Sequence, residues 1–273
     1  MKTHKILETS SFEESIDMVK EVSSIFVEDG LVALRGFKFS KEDQTILSAK
    51  IGDILNWDLN SQSSIKDSIS NMYLGGHSDD PDRDSCGSDW YALDWHIEQV
   101  HLEDPIIAGS WNMFKFDAPK GSGSTHFVDG SDLYESFSDA ERNLLKDSTY
   151  IWDKEDHEGG PYYTPAIGTN PYTGRTTLRV EAKYGCTISP KLHSVRGSEP
   201  TELQLKLSSE ILQKMDNEFV KNTDLKYIHD WKENDLVFVD LYRMYHGVTG
   251  GYKYNNRKFN GIFMRQGRNS LGD

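Results

Sequence analysis

The sequence has 273 residues, 36% of them hydrophobic and 11% aromatic, so it can fold around a sizeable core and is not an intrinsically disordered chain. Its formal net charge of −14 argues against nucleic acid as a main partner, because phosphates would repel it. Cys86 and Cys186 are far apart and form no C-x-x-C pair, which favours a reducing compartment. We recognise no signal peptide and no apolar run of the ~18 residues that a membrane span needs. We therefore expect a cytoplasmic protein without membrane association.

The first 56 residues predict helices on either side of a strand. Apolar residues recur at near-helical spacing over 12–29, which predicts one amphipathic helix that ends at Gly30. Residues 31–36 begin with four apolar residues and predict a strand. Ser40 is a good N-cap for a second helix that continues towards Ile51.

Residues 57–89 have a different character. They are poor in periodic apolar residues and rich in Ser, Asp and Gly. A connection of this length inside a compact domain is typical of a functional loop, so we expect an active-site lid here. The order of its aspartates does not match a calcium-binding EF-hand loop. Tyr73 within this segment is a candidate substrate contact.

Short strands dominate from residue 90 onward. A Ser138 capping box and apolar residues at four-residue spacing over 201–220 predict two further helices. We also predict that 227–231 and 236–239 pair as a hairpin. Many short strands with a few covering helices favour a double-sheet jelly roll over a doubly wound sheet. No linker or internal repeat is recognisable, so we expect one domain over 1–273. The remaining predicted strands are 106–116, 125–129, 176–180, 185–188 and 259–265.

His96 and Glu98 are the first candidate ligands of a metal. They are two residues apart, so on a β-strand both side chains leave the same face. An imidazole and a carboxylate so placed are two of the three ligands of the facial triad that binds non-haem Fe(II). The third would be a distant histidine, and His246, after the apolar run 236–239, is the candidate. The same ligand types also suit Zn²⁺, and a His-x-Glu pair is also common at polar strand edges.

Five stretches follow one another in an order that matches a known family. They are 30–36, 95–98, 119–127, 164–174 and 231–257. On these stretches the chain resembles the Fe(II)- and 2-oxoglutarate-dependent dioxygenases of the taurine dioxygenase type, from about Leu31 to Arg265. The resemblance implies a cupin-like, double-stranded β-helix, mainly β with flanking α-helices.

The same resemblance assigns roles to five residues. His96, Glu98 and His246 would bind iron. Arg257, eleven residues after His246, would pair with the distal carboxylate of 2-oxoglutarate, and Thr125 would hydrogen-bond the same group. An arginine can grip a carboxylate with two parallel bonds, which would fix the cosubstrate relative to the metal. O2 would be the second cosubstrate.

The chain departs from the family pattern at two positions. The carboxylate ligand is Glu98, where the family more often has Asp, and some amino-acid-hydroxylating relatives share the glutamate. The family's sulfonate-binding arginine would fall at Gly261, which supplies no charge. Arg265 and Arg268 are the candidate replacements. These departures favour a small polar substrate such as a free amino acid over a sulfonate.

Arg243 and Tyr245 are further candidate substrate contacts because they lie close to His246 in the sequence. The leading function is an oxygenase that hydroxylates an unactivated C–H bond while 2-oxoglutarate becomes succinate and CO2. Desaturation and ring formation remain open within the same family. Outside it, the sequence is also compatible with a zinc hydrolase, which has no reason to keep Arg257 together with Thr125. It is compatible as well with a non-catalytic jelly-roll binding protein, whose ligand triad would be accidental and which metal content would distinguish. The sequence also leaves open whether the chain forms a homo-oligomer.

Overall fold

The structure is a computed structural model that describes residues 2–58, 71–72, 91–100, 105–152, 161–180, 190–221 and 223–266. Nearly all of the predicted lid over 57–89 lies outside these residues, and so does Tyr73. The predicted strand 185–188 and the candidate Arg268 also lie outside them. No helix in the described part of the chain is long and apolar enough to cross a membrane.

The helices begin where the sequence places their caps. Ser40, Ser138 and Thr201 each form a capping box with the residue three positions later. The helix predicted over 12–29 divides at Met18, whose N–H bonds to both Glu14 O and Ile16 O, a tighter turn than an α-helix makes. The helices are α1 Phe12–Asp17, α2 Val19–Asp29, α3 Lys41–Leu55, α4 Gly130–Glu135, α5 Asp139–Lys146 and α6 Glu202–Val220.

Strands make up most of the remaining described chain. The last strand is longer than predicted and carries a bulge between Lys258 and Phe259. The strands are β1 Lys5–Glu8, β2 Leu31–Arg35, β3 Trp57–Asp58, β4 Asn71–Met72, β5 Tyr91–His96, β6 Ala108–Phe116, β7 Thr125–Asp129, β8 Ser148–Trp152, β9 Tyr162–Pro165, β10 Ile167–Thr169, β11 Thr176–Leu178, β12 Lys191–Val195, β13 Lys226–His229, β14 Leu236–Val239, β15 Met244–Thr249 and β16 Arg257–Gln266.

Two of the sheets face each other. The larger has the order β1-β2-β14-β6-β16-β3, with β4 also paired to β16, and the smaller has the order β13-β7-β15-β5. Strands of both sheets supply one buried apolar cluster, which includes Ala33, Trp111 and Val237 from the larger sheet and Phe127 and Met244 from the smaller. This shared core between two sheets is the arrangement that the predicted jelly roll requires.

Helices cover the outer faces of both sheets. Phe26 of α2 and Leu47 of α3 pack with Val32 and Phe238 of the larger sheet, which alternate with its inward residues. Met215 and its neighbours on α6 pack in a second outer cluster against the smaller sheet. The inner faces are thereby left for the functional site.

The predicted hairpin of 227–231 and 236–239 is wrong. β13 pairs with β7 in the smaller sheet, while β14 lies between β2 and β6 in the larger sheet. The intervening turn crosses from one sheet to the other, and Asp235 anchors it there through two bonds of 2.7 Å from Arg35. Apolar alternation alone does not say which sheet a strand joins.

Candidate metal centre

His96, Glu98 and His246 converge at the mouth of the space between the sheets. Their ligand atoms all lie within 4.8 Å of one another. His96 is the last residue of β5 and stands directly opposite His246 of β15 in the register. Glu98 reaches the cluster from the turn after β5 rather than from a strand, with its Oε1 3.5 Å from His96 Nε2 and 3.6 Å from His246 Nε2.

The backbone orients both imidazoles. Nδ1 of His96 lies 2.8 Å from Asp94 O, and Nδ1 of His246 lies 3.3 Å from Met244 O. A neutral imidazole that donates through Nδ1 leaves the lone pair of Nε2 facing the cluster, as a metal ligand requires. Burial lowers the pKa of His246, which favours this neutral form. Burial alone would raise the pKa of Glu98, but protons on the two Nε2 atoms, present when no metal is bound, outweigh it and lower the pKa, so the carboxyl is ionised. A bound metal ion would replace those protons.

This donor set fits a non-haem metal ion. Two imidazole nitrogens and one carboxylate oxygen on one side of an ion leave its other positions open for exogenous ligands. Two inward-facing rings flank the cluster: the centroid of Trp111 lies 5.2 Å and that of Phe127 lies 6.0 Å from the ring of His246.

Arg257 and Thr125 lie together between the same two sheets. Arg257 comes from β16 and Thr125 from β7, both are 1% exposed, and Arg257 Nη2 donates to Thr125 Oγ1 at 3.1 Å. The ring centroids of Phe259, Trp231 and Tyr252 lie 5.5, 5.8 and 5.9 Å from the guanidinium carbon. Burial lowers the pKa of Arg257 to about 10, so it stays a cation at neutral pH. A buried cation beside a hydroxyl fits one carboxylate of a dicarboxylic acid.

The strand register places this pair on the metal-binding side. Thr125 stands opposite Val248, and Phe127 opposite His246, so all four side chains leave the same inward face of the smaller sheet. His126 between them leaves the other face, and its Nδ1 lies 2.9 Å from the Tyr91 hydroxyl.

The structure does not bring Arg243 or Tyr245 to the cluster, so it does not support the predicted substrate contacts. Tyr245 leaves the opposite strand face from His246 and donates its hydroxyl proton to Val180 O at 2.6 Å. Arg243 is fully buried, with Nη1 3.2 Å from Asp129 and Nε 3.0 Å from Asp240. Closeness to His246 in the sequence therefore carries no information about these two side chains.

Replacing Arg243 with methionine is expected to destabilise the fold by about 3 kcal/mol, because two buried carboxylates would lose their cation. Urea unfolding measures the change. Arg142→Met is the matched control, since Arg142 pairs with an exposed Asp139 and should cost less than about 1 kcal/mol. Equal stability of the two variants would contradict the structural role of Arg243. Metal content of the folded variant should equal that of the wild type.

Sequence reasoning also missed three residues. His229, which stands in no recognisable sequence motif, is fully buried between His4, 2.8 Å away, and Asp235, 3.2 Å away. Trp231 donates its indole N–H to Thr125 Oγ1 at 2.8 Å. Gln99 follows Glu98 with a left-handed φ of 47° and accepts a bond of 2.9 Å from Arg265. Of these three residues, only Trp231 lies in a stretch that resembles the family, the one over 231–257.

The comparisons with known proteins identify the family and the fold. Residues 6–263 match the taurine catabolism dioxygenase TauD, TfdA family. A crystal structure of AAD-2 with Mn(II) and N-oxalylglycine is similar, with a TM-score of 0.65, 14% identity and coverage of 100% of this chain and 98% of that chain. A taurine dioxygenase from Burkholderia xenovorans gives a TM-score of 0.62, with 14% identity and coverage of 91% and 80%. No curated protein matches the sequence significantly.

The fold and the His-Glu-His cluster define a jelly-roll protein with a candidate non-haem metal site. The chain belongs to the TauD, TfdA family, which it matches over nearly its whole length. It is a 2-oxoglutarate-dependent non-haem iron dioxygenase.

Proposed function

We propose that the whole chain forms one catalytic domain in which His96, Glu98 and His246 hold Fe(II), and that with 2-oxoglutarate and O2 it hydroxylates a small polar molecule such as a free amino acid. One observation carries this proposal. The three candidate metal ligands and the buried Arg257–Thr125 pair lie on the same inward surface. A zinc hydrolase has no use for that second pair.

The bound iron and its keto-acid cosubstrate supply the oxidising power for breaking a C–H bond. The chain's own residues arrange the reactants. His96, Glu98 and His246 would hold the metal through two nitrogens and one oxygen, which would leave room for exogenous ligands. Arg257 and Thr125 hold the far carboxylate of the cosubstrate, which sets the direction from which its keto-acid end approaches the metal.

Arg265 supports the choice of a carboxylate-bearing substrate. On β16, Gly261 lies opposite Trp111 and Phe263 opposite Gly109, and Arg265 follows in the same alternation. Its Nη2 donates to Gln99 Oε1 at 2.9 Å, beside the ligand Glu98. We propose that this bond holds the guanidinium at the rim of the metal site, where it would supply the cation that Gly261 lacks. A carboxylate of the substrate would pair with it.

Arg265→Met is expected to raise the KM for the accepted amino acid by about 30-fold, equivalent to about 2 kcal/mol of charge-assisted bonding. The Kd of 2-oxoglutarate should not change, because Arg257 and Thr125 hold that ligand. Steady-state kinetics and calorimetry measure the two quantities. Arg196→Met is the control, since the Arg196 side chain is 79% exposed. An unchanged KM would remove Arg265 from the substrate site.

The function is tested by incubating the Fe(II)-loaded protein with 2-oxoglutarate, O2 and each member of an amino-acid panel, with succinate and the mass of the product as readouts. Succinate with a product 16 Da heavier supports hydroxylation, since one oxygen atom is inserted. A product 2 Da lighter identifies desaturation or ring closure instead. Hydrolysis with Zn²⁺ and without 2-oxoglutarate would replace the proposal with a hydrolase. Neither metal binding nor turnover would leave a non-catalytic binding protein.

A further inference from the structure

Trp231 contacts Thr125, one of the two residues proposed to bind the cosubstrate, through a single polar atom. Its indole N–H donates to Thr125 Oγ1 at 2.8 Å, and the residue is 4% exposed. Arg257 Nη2 donates to the same oxygen at 3.1 Å. An indole and a guanidinium are donors only. Thr125 therefore accepts a hydrogen bond from each of them.

This leaves the Thr125 hydroxyl with one remaining role. A hydroxyl has one O–H and two lone pairs, and the two N–H groups occupy both lone pairs. In the described part of the chain, no third hydrogen-bond partner of this oxygen is found. The hydroxyl proton is thus directed at whatever enters the inward space, on the face that Thr125 shares with Phe127 and His246.

The chain on either side of Trp231 is tightly anchored. The carboxylate of Asp230 accepts a bond of 2.5 Å from the Ser124 hydroxyl. The Lys232 N–H donates to Asp235 at 2.8 Å. The His229 ring packs against the indole at a centroid distance of 4.4 Å and an angle of 86°. These contacts hold the indole N–H in place before any ligand binds.

We propose that Trp231 is a positioning residue that fixes the Thr125 hydroxyl as a hydrogen-bond donor, so that the site selects keto acids with an ionised distal carboxylate over those with a distal amide. This rests on the proposed function, which assigns the cosubstrate to the Arg257–Thr125 pair. A carboxylate only accepts hydrogen bonds, whereas an amide also presents N–H donors. With both lone pairs filled, Thr125 has nothing to offer those donors.

The proposal is tested by calorimetry on the Mn(II)-loaded protein, which does not turn over, with 2-oxoglutarate and its distal amide, 2-oxoglutaramate, as the two probes. Trp231→Phe removes the indole N–H but keeps an aromatic ring. The Kd of 2-oxoglutarate is expected to rise about tenfold, and that of the amide much less, so the preference for the carboxylate falls. Trp152→Phe, the same change in the outer cluster, should alter neither value. Trp231→Leu, which also lacks a donor, carries the same expectation should Trp231→Phe not fold.

A double-mutant cycle separates this role from general support of the fold. In a Thr125→Val background, Trp231→Phe should have no further effect on either Kd, because Trp231 would act only through the hydroxyl. Equal effects in both backgrounds, or an unchanged preference in Trp231→Phe, would overturn the proposal. Thr125→Ser should retain the preference. Failure of the metal-loaded wild type to bind 2-oxoglutarate at all would count against the proposed function rather than against Trp231.

Discussion

His246→Ala should abolish metal binding, and with it the 2-oxoglutarate-dependent activity, while the protein remains folded. The cluster has three ligands, and the loss of one leaves too few to hold the ion. We expect the metal affinity to fall by more than about 100-fold, since altering even the groups that orient such ligands costs 10–100-fold. Elemental analysis measures the metal content, and circular dichroism checks the fold.

His126→Ala is the matched control for this experiment. His126 lies on the neighbouring strand, faces away from His246 and bonds to Tyr91. Its variant should keep the metal content of the wild type. His96→Ala should behave like His246→Ala. Wild-type metal content in either of these two variants would remove that histidine from the ligand set.

Arg257→Met should weaken 2-oxoglutarate binding by about 100-fold, equivalent to about 3 kcal/mol for the loss of one partner of a buried charge pair. The methionine keeps an apolar stem among the rings of Trp231, Tyr252 and Phe259, so the fold should survive. Titration of the metal-loaded protein with 2-oxoglutarate measures the affinity. The metal content should not change, because Arg257 is not a ligand.

Arg265→Met serves as the control, because it removes a guanidinium from the rim of the same site. Its 2-oxoglutarate affinity should equal that of the wild type. If the two variants lost affinity equally, the effect would reflect the overall positive charge of the site, and the specific pairing with Arg257 would be wrong.

Features that depend on neighbours in the chain could be predicted from the sequence. The capping boxes at Ser40 and Ser138 are set by residues three positions apart. The sequence predicted the one at Ser138, and it predicted Ser40 as an N-cap. The opposite orientations of Thr125 and His126 follow from strand alternation alone. The convergence of His246 on His96 and Glu98 needed the family resemblance as well, because 148 residues separate Glu98 from His246.

Features that depend on the choice of partner could not be predicted. The apolar sequence pattern of β13 and β14 would be the same whether the two strands paired with each other or lay in opposite sheets. Arg243 looked like a substrate contact because an isolated sequence does not reveal its partners Asp129 and Asp240. His229 was missed for the same reason, since His4 and Asp235 come from distant or turn positions. No sequence pattern shows where the N–H of Trp231 points.

The strand order also governs how the chain is made. Strand β14 is inserted between β2 and β6, and about 200 residues lie between β2 and β14. At ~5–20 residues per second, a ribosome needs ~10–40 s to cover that distance. Throughout this interval the apolar strand β2 is already synthesised but has an open hydrogen-bonding edge, and such edges recruit other chains. Until the ribosome passes Val239, the nascent chain therefore depends on dilution or on chaperones to stay unaggregated.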